Sequence, residues 1–550
     1  MSVAPPHRSS GFPRFSPKAR MVTVVLGLLL VAFGLLVVVL RPIISPVLYG
    51  WTGEEDYSEQ IKGSVALAIL TLSRPTLDTR QYEPISHTGS SPFGINTFLE
   101  QEVEAAKVEQ ALSMIGEAGF RWIRQEFPWE DIEISGKGDY WDHKWDVSAW
   151  AKYDRIVELA DKHDLKIIAR LDNPPAWSRE LGDTVGSLGP PDDFDDFGDF
   201  VFAVVERYRG KIRHYQIWNE PNTYLEWGNR PVSADEYVDL LKVAYTRAKE
   251  ADPDCVVLSA GLAQTLEKGP ENLDDLIYLQ QMYTAGAGEY FDVLGVMAYG
   301  LWTGPTDRRA SPDRTNFARP QLIRETMVRN GDAHKPIWVT EVGWNALPQD
   351  FPKFPNFGRV TLDQQARYAV EAYERAQREW PWMGVMNYWF FKRATDAEKD
   401  QTFYYFRMVE PDFTPLPVYY AMRGYANQPA VMRAGYHQED HWTIGWNGSW
   451  RCEEDEQAVL GRYVVGESGA TAEVTFEGAQ VEFVTMRAPG MGTLTYSIDG
   501  DPAHLLELSG TVREYQTVIV LGRDLEEGEH RLRIAVREGS VAVDGLLVRR

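Results

Sequence analysis

Two glutamates stand where apolar runs stop. In Tyr215-Gln216-Ile217-Trp218-Asn219-Glu220-Pro221-Asn222 a carboxylate closes a hydrophobic run, held between an asparagine and a proline that ends the strand. Lys335-Pro336-Ile337-Trp338-Val339-Thr340-Glu341-Val342-Gly343-Trp344 delivers a second carboxylate in the same way. A buried carboxylate is costly unless it is paired or used. A lone glutamate at a strand end is ordinarily solvated or matched with a cation. Two of them brought to one point can do more. Carboxyl groups about 5–5.5 Å apart carry out retaining glycoside hydrolysis, in which one attacks the anomeric carbon and the other protonates the leaving oxygen and then activates water.

Whether Glu220 and Glu341 meet depends on the elements that carry them. From Pro92 onward short apolar runs alternate with amphipathic segments. The runs are Phe93–Phe98, Trp122–Phe127, Leu165–Leu171, His214–Trp218, Val256–Ala260, Val293–Tyr299, Ile337–Thr340 and Gly384–Phe390. All are rich in Val, Ile or aromatic residues, as strands buried on both faces should be. Between them the spacing is helical. After Ser233, residues Tyr237, Leu240, Leu241, Ala244 and Ala248 share a face, and Ser233 with Glu236 reads as a capping box. Thr361 and Gln364 repeat that signature. Eight β/α units over 92–430 predict a (β/α)8 TIM barrel of the α/β class, whose catalytic groups sit at the C-terminal ends of the strands. A doubly wound open sheet is the alternative. No G-x-G-x-x-G or phosphate-binding G-x-x-x-x-G-K-[ST] follows the first strand to favour it.

The Trp218-Asn219-Glu220-Pro221 motif, followed by Trp338-Val339-Thr340-Glu341, resembles glycoside hydrolase clan A, with family 39 the nearest flavour and family 5 close to it. The resemblance covers about residues 92–427. It implies Glu220 as acid/base, Glu341 as nucleophile and Asn219 as a hydrogen-bond partner of the sugar 2-hydroxyl. Within Trp122-Ile123-Arg124-Gln125-Glu126-Phe127-Pro128-Trp129, it implies Arg124 as the support of the nucleophile. An arginine beside Glu341 would keep that carboxylate ionised, and a less polar setting would keep Glu220 protonated. Tyr299 matches a tyrosine that bonds the nucleophile, and Trp389 a platform beneath the cleaved sugar. One departure stands out: where the clan often has His-x-Tyr, this chain reads Met297-Ala298-Tyr299. That puts substrate contacts of the missing imidazole in doubt, and leaves the acid, the base and the nucleophile untouched. The implied activity is cleavage of an extracellular β-linked oligo- or polysaccharide by double displacement. Transfer to a sugar hydroxyl and a non-catalytic glycan-binding role are the alternatives.

Aromatic faces stack on sugar rings, and 18 tryptophans exceed what a core needs. Trp177, in a loop stiffened by Pro174 and Pro175, and Trp344 are candidate sugar contacts, with Trp129, Trp227 and Trp302 further aromatic residues of the same face. Some of these must be packing residues. The texture changes near 431. From there to 550, alternating runs such as Ala472-Glu473-Val474-Thr475-Phe476 are split by Asp-Gly and Glu-Gly turns, which predicts an all-β sandwich. It is similar to the galactose-binding-type sandwiches that accompany glycosidases. Trp442, Trp446 and Trp450 would serve packing more readily than binding.

At the other end, Met21–Leu40 is an apolar run of bilayer length, with Arg8, Arg14, Lys18 and Arg20 before it. Residues 1–50 carry +5 and the remainder −29 of the net −24. By the positive-inside rule the expectation is a cytoplasmic tail (1–20), an uncleaved signal anchor (21–40), a stalk (41–91) and an extracellular catalytic barrel. Val65–Leu72 is too short to span and reads as a strand or a buried helical turn. The acidic balance argues against nucleic acid as a partner. No cluster of residues has metal-ligand spacing and no cofactor is called for. Cys255 and Cys452 read as two buried thiols.

Overall fold

The computed structural model describes residues 40–550. Eight parallel strands form the central sheet: β1 Phe93–Thr97, β2 Trp122–Glu126, β3 Lys166–Leu171, β4 His214–Ile217, β5 Val256–Leu258, β6 Leu294–Met297, β7 Ile337–Val342 and β8 Met383–Tyr388. Their order is β5-β4-β3-β2-β1-β8-β7-β6. Parallel bridges Leu258–Val293 and Leu262–Val296 join the two ends, so the sheet is closed. One helix follows each strand: α1 Ala105–Glu117, α2 Trp150–Lys162, α3 Phe194–Tyr208, α4 Ala234–Ala251, α5 Asp275–Thr284, α6 Pro320–Arg329, α7 Leu362–Glu379 and α8 Pro417–Ala426. This is a (β/α)8 barrel, and the open doubly wound sheet is set aside by the closure.

The strands form where period-two logic gives way to continuous burial. All six residues of β7 and of β8 are buried, because helices cover one face and opposing strands the other. In α4 the stripe Tyr237, Leu240, Leu241, Ala244 and Ala248 faces the sheet. Its start differs from the expected box. The Ser233 hydroxyl accepts from the Glu236 backbone N–H at 3.2 Å, while the Glu236 carboxylate is drawn to Trp227 Nε1 and Arg230. At α7 both halves of the Thr361/Gln364 box are made.

The floor of the barrel is aromatic. Trp122, His214 and Trp338, from the starts of β2, β4 and β7, cluster with centroids 4.8 to 5.1 Å apart, His214 stacked on Trp338 and Trp122 edge-on to both. A cavity of about 560 Å³ opens beneath them, toward the C-terminal unit, at the end opposite to Glu220 and Glu341.

Residues 435–549 form antiparallel sheets of four, five and three strands around Phe476, Phe483, Leu494, Leu532, Val541 and Val548. Trp442 fastens this unit to the barrel, lying edge-on to Phe93 at 6.2 Å and donating its N–H to Gly89 O. Trp446 and Trp450 meet at 4.4 Å and pack against the sandwich core. Cys255 is buried, but Cys452 is exposed on strand Trp450–Glu454, which corrects its expected burial.

Residues 41–91 do not hang free as a stalk. Residues 40–52 and Tyr57–Ser73 are helical and docked on the barrel. Tyr49 bonds Glu371, Glu55 pairs with Arg367, and Arg309 donates to Thr52 O at 2.9 Å and to Glu54 at 2.7 Å. Val65–Leu72 lies inside the second helix, and it is helical and largely exposed, neither a strand nor buried. Met21–Leu40 falls outside the described residues except for Leu40. Among the described residues no helix is long and apolar enough to cross a membrane.

Candidate active site

Arg124 is the centre of the site. It leaves β2 into the barrel and is buried, with 3% exposure. Each of its three guanidinium nitrogens is used. Nε donates to Gln216 Oε1 at 2.7 Å, Nη1 to Asn96 Oδ1 at 2.7 Å and to Glu341 Oε1 at 3.0 Å, and Nη2 to Asn219 Oδ1 at 3.0 Å. One cation therefore ties strands β1, β2, β4 and β7 together at the end where the carboxylates sit. The planar fork of a guanidinium can reach four acceptors that way, and a compact ammonium cannot.

Glu341, on β7, is held from two sides. Arg124 bonds Oε1, and the Tyr299 hydroxyl donates to Oε2 at 2.5 Å. Tyr299 is placed in turn by its backbone N–H on Gln264 Oε1 and by Phe406 edge-on at 5.4 Å. Burial and the Glu341 charge push the Tyr299 phenol well above its ordinary range, so it stays a donor. Both carboxylate oxygens of Glu341 are thereby fixed.

Glu220 is treated differently. It follows β4 on a backbone in the left-handed region, with φ of 71° at Trp218 and 39° at Glu220, a conformation costly for such side chains. The turn is held by Trp218 N–H on Leu171 O, Glu220 N–H on Gly261 O and Trp218 Nε1 on Glu226 O. It aims Glu220 into a setting that disfavours charge. Burial raises its carboxyl pKa well above the ordinary value, and the neighbouring carboxylates of Glu226 and Glu341 raise it further. The residue as a whole keeps partial exposure.

Asn219 bridges the two glutamates' surroundings. Its Oδ1 accepts from Arg124 and its Nδ2 faces Glu226 Oε1 at 3.3 Å. Burial lifts Glu226 to about 7, against the opposing pull of nearby Arg170. Arg170 in turn pairs with Asp172 at 2.8 Å and Glu126 at 2.6 Å. The rim between β2 and β4 is thus an acidic cluster in which Arg170 is the paired cation beside Arg124. Trp389, just after β8, is partly exposed and edge-on to Phe98 at 5.5 Å. Trp177 is half-buried, donates Nε1 to Glu133 O and meets Trp129 edge-on.

Trp344 is a correction. It is fully buried, donates Nε1 to Thr303 O at 2.7 Å and packs on Phe317 and Tyr368, so it supports the site from beneath and cannot touch a sugar. Trp129 and Trp227 are fully buried as well. Trp302 is 57% exposed. Asn96, Gln216, Glu226 and the Arg170–Asp172–Glu126 cluster escaped the sequence reading. All but Glu226, which lies in the loop after β4, gave one signal, their place at or near strand ends.

Two measurements probe this arrangement. Arg124→Met would leave Glu341 buried without its cation, and loss of one partner of such a pair costs about 3–5 kcal/mol. Denaturant unfolding is expected to show that loss, and an unchanged midpoint would count against the network. The second concerns pH. Glu220, Glu226 and Glu100 all have folded values raised above those of the unfolded chain, to about 7 for Glu226 and Glu100. Burial is the first cause in each. A raised carboxyl stabilises the fold fully below its unfolded pKa near 4.5, and that contribution is lost as pH rises through the folded value. The melting temperature is therefore expected to fall between pH 5.5 and pH 8.5. A rise across that window would contradict it.

No family model matches the chain. Solved structures similar to it include a family 39 glycoside hydrolase from the gut symbiont Bacteroides cellulosilyticus WH2, 19% identical over 83% of this chain and 82% of that one, with TM-score 0.47. A glucosidase from Croceicoccus marinus is 12% identical over 82% and 97%, with TM-score 0.46. An alpha-L-arabinofuranosidase from Thermotoga maritima in complex with arabinose is 12% identical over 84% and 99%, with TM-score 0.42.

Proposed function

We propose that the chain is a retaining glycoside hydrolase, with Glu341 as nucleophile and Glu220 as acid/base. One observation carries this reading: two glutamates at one barrel mouth are held in opposite electrostatic settings. Glu341 meets a guanidinium and a phenol hydroxyl, which stabilise negative charge on its two oxygens. Glu220 meets burial and other carboxylates, which favour its neutral form. Titratable groups pushed apart by their surroundings are how acid and base roles are divided.

The steps follow from these placements. The Glu341 carboxylate attacks the anomeric carbon and forms a glycosyl ester as the C–O bond to the leaving group breaks. Glu220 gives its proton to the departing oxygen. The now ionised Glu220 takes a proton from water, whose oxygen attacks the same carbon and releases Glu341. In this reading Asn219 bonds the 2-hydroxyl, a contact that strengthens as the ring flattens. Trp389 offers a partly exposed aromatic face beside the site for the sugar ring.

For Met21–Leu40 the reading is an uncleaved signal anchor that leaves the barrel outside the cell. Its length and the preceding basic residues support it. The substrate is then a β-linked glycan of the extracellular space.

The test is covalent capture. An activated 2-deoxy-2-fluoro aryl glycoside, drawn from a panel of glucosyl, xylosyl, mannosyl and galactosyl forms, slows the second step more than the first. At least one form is expected to inactivate the enzyme and add one sugar to the peptide containing Glu341. A label on another residue, with Glu341 unmodified, would overturn the assignment.

A further inference from the structure

The helix Tyr57–Ser73 has two different sides. Toward the barrel it presents buried Gln60 and Gly63, and a Cβ on Gly63 would meet Arg309 and Thr52 at 2.9 Å. Away from the barrel, Ile61, Val65, Ile69 and Leu72 follow one another at helical spacing and are 46, 56, 62 and 89% exposed. From Gly63 to Ser73 there is no charged side chain, in a chain that is 25% charged. The preceding helical segment adds Val47 and Trp51, four residues apart and both about half exposed. Scattered apolar residues on a surface need no explanation, but an aligned, uncharged stripe marks an interaction face.

We propose that this stripe lies on the outer surface of the lipid bilayer, with the helix in the plane of the interface. The inference rests on the reading of Met21–Leu40 as a membrane anchor and adds a second contact to it. Three observations select lipid as the partner. The helical segment 40–52 starts at the last residue of the apolar run in sequence, so with that run as the anchor the docked helices begin at the membrane. Thirteen helical residues rise only about 20 Å, which keeps Tyr57–Ser73 near the headgroups. Gly63 is packed against Arg309, and Arg74 just past the helix end donates to Ala310 O at 2.9 Å, so the helix is held on the barrel and cannot turn and span. The outer side has the composition of an interfacial helix, and Trp51 is a residue type favoured at that depth.

The contact fixes more than location. The helices hold the loop after β6, through Gly304 N–H on Gly53 O at 2.7 Å and the Thr306 hydroxyl on Tyr49 O at 2.6 Å. That loop begins at Tyr299, which bonds Glu341. A bilayer under the stripe therefore holds the β6–β7 side of the barrel toward the membrane, and the cleft at a set height above it.

The test uses the full chain reconstituted in vesicles of phosphatidylcholine and phosphatidylglycerol. Ile69→Cys on a Cys452→Ser background places an NBD fluorophore on the stripe, and Val512→Cys places one on an exposed site of the sandwich. The expected result is blue-shifted emission at position 69, quenched by lipids spin-labelled near the headgroup and shielded from iodide, with neither effect at position 512. Flotation with the vesicles but equal iodide quenching at both positions would overturn the docking face and leave the anchor standing. Failure to float would remove the anchor and the face together. Self-quenching at position 69 that grows with protein-to-lipid ratio, without quenching by spin-labelled lipid, would assign the stripe to a second copy and overturn the lipid contact.

Discussion

Replacing Glu341 by alanine is expected to lower hydrolysis of an aryl glycoside by at least about 10⁴-fold, the upper end of what a single positioned catalytic group contributes. As the proposed nucleophile Glu341 has no substitute within the site, because the other carboxylates are turned to different tasks. Asn219 holds Glu226, and Arg170 holds Asp172 and Glu126. The fold should survive. Arg124 keeps Asn96, Gln216 and Asn219 as acceptors when Glu341 is gone. Azide enters the space the side chain vacates and attacks the anomeric carbon directly, so turnover should return with a glycosyl azide of inverted configuration. Retention of full activity in Glu341→Ala, measured on a protein with unchanged circular dichroism, would sink the mechanism.

Glu220→Gln removes the proton rather than the attacking group, and its effect depends on the leaving group. For a substrate that leaves as a poor alkoxide the loss is expected to be about 10²–10⁴-fold. A dinitrophenyl glycoside needs no proton to depart, so its first step is largely spared. The glycosyl–enzyme then accumulates, because no base activates water, and a burst followed by slow turnover is the expected trace. The pH profile gives an independent check. Burial and adjacent carboxylates raise the pKa of Glu220, so it is protonated over the range where an ordinary glutamate is not. The wild-type kcat/KM should fall as pH rises through that raised value. In Glu220→Gln that alkaline limb should disappear. An equal loss for both leaving groups with the limb intact would make Glu220 a structural residue.

Why was so much of this legible without coordinates? The strand runs are local properties. Ile337–Val342 is buried on both faces, so its composition is apolar throughout, and a continuous apolar run of that length can be read directly. The helices announce themselves by periodicity, as α4 does with Tyr237, Leu240, Leu241, Ala244 and Ala248. The interruption of an apolar run by a charge is equally local, which is how Glu220 and Glu341 stood out. Counting runs then assigned them to strands four and seven.

Side-chain burial and partnership are set by residues far away in the chain, and there the reading broke down. Trp344 and Trp389 look alike in sequence, each an aromatic beside a strand end. The first is sealed by Phe317 and Tyr368, and the second stays partly exposed. Within Tyr57–Ser73 the apolar run Val65–Leu72 reads by itself as a strand or a buried helical turn, whereas in the fold its outward side is covered by no part of the barrel.

The alternation of strand and helix, the eightfold count and the two carboxylates at the strand ends can be read along the chain, because each depends on neighbours within a few residues. It took contacts across the fold for Arg124, 217 residues from Glu341 and 95 from Asn219, to bind both at once and enlist Asn96 and Gln216. The physical reason is the closure of the barrel. Packing strands into a ring sets which side chains converge at its mouth, and with them the burial and the fields that surround one glutamate with hydrogen-bond donors and favour the neutral form of the other.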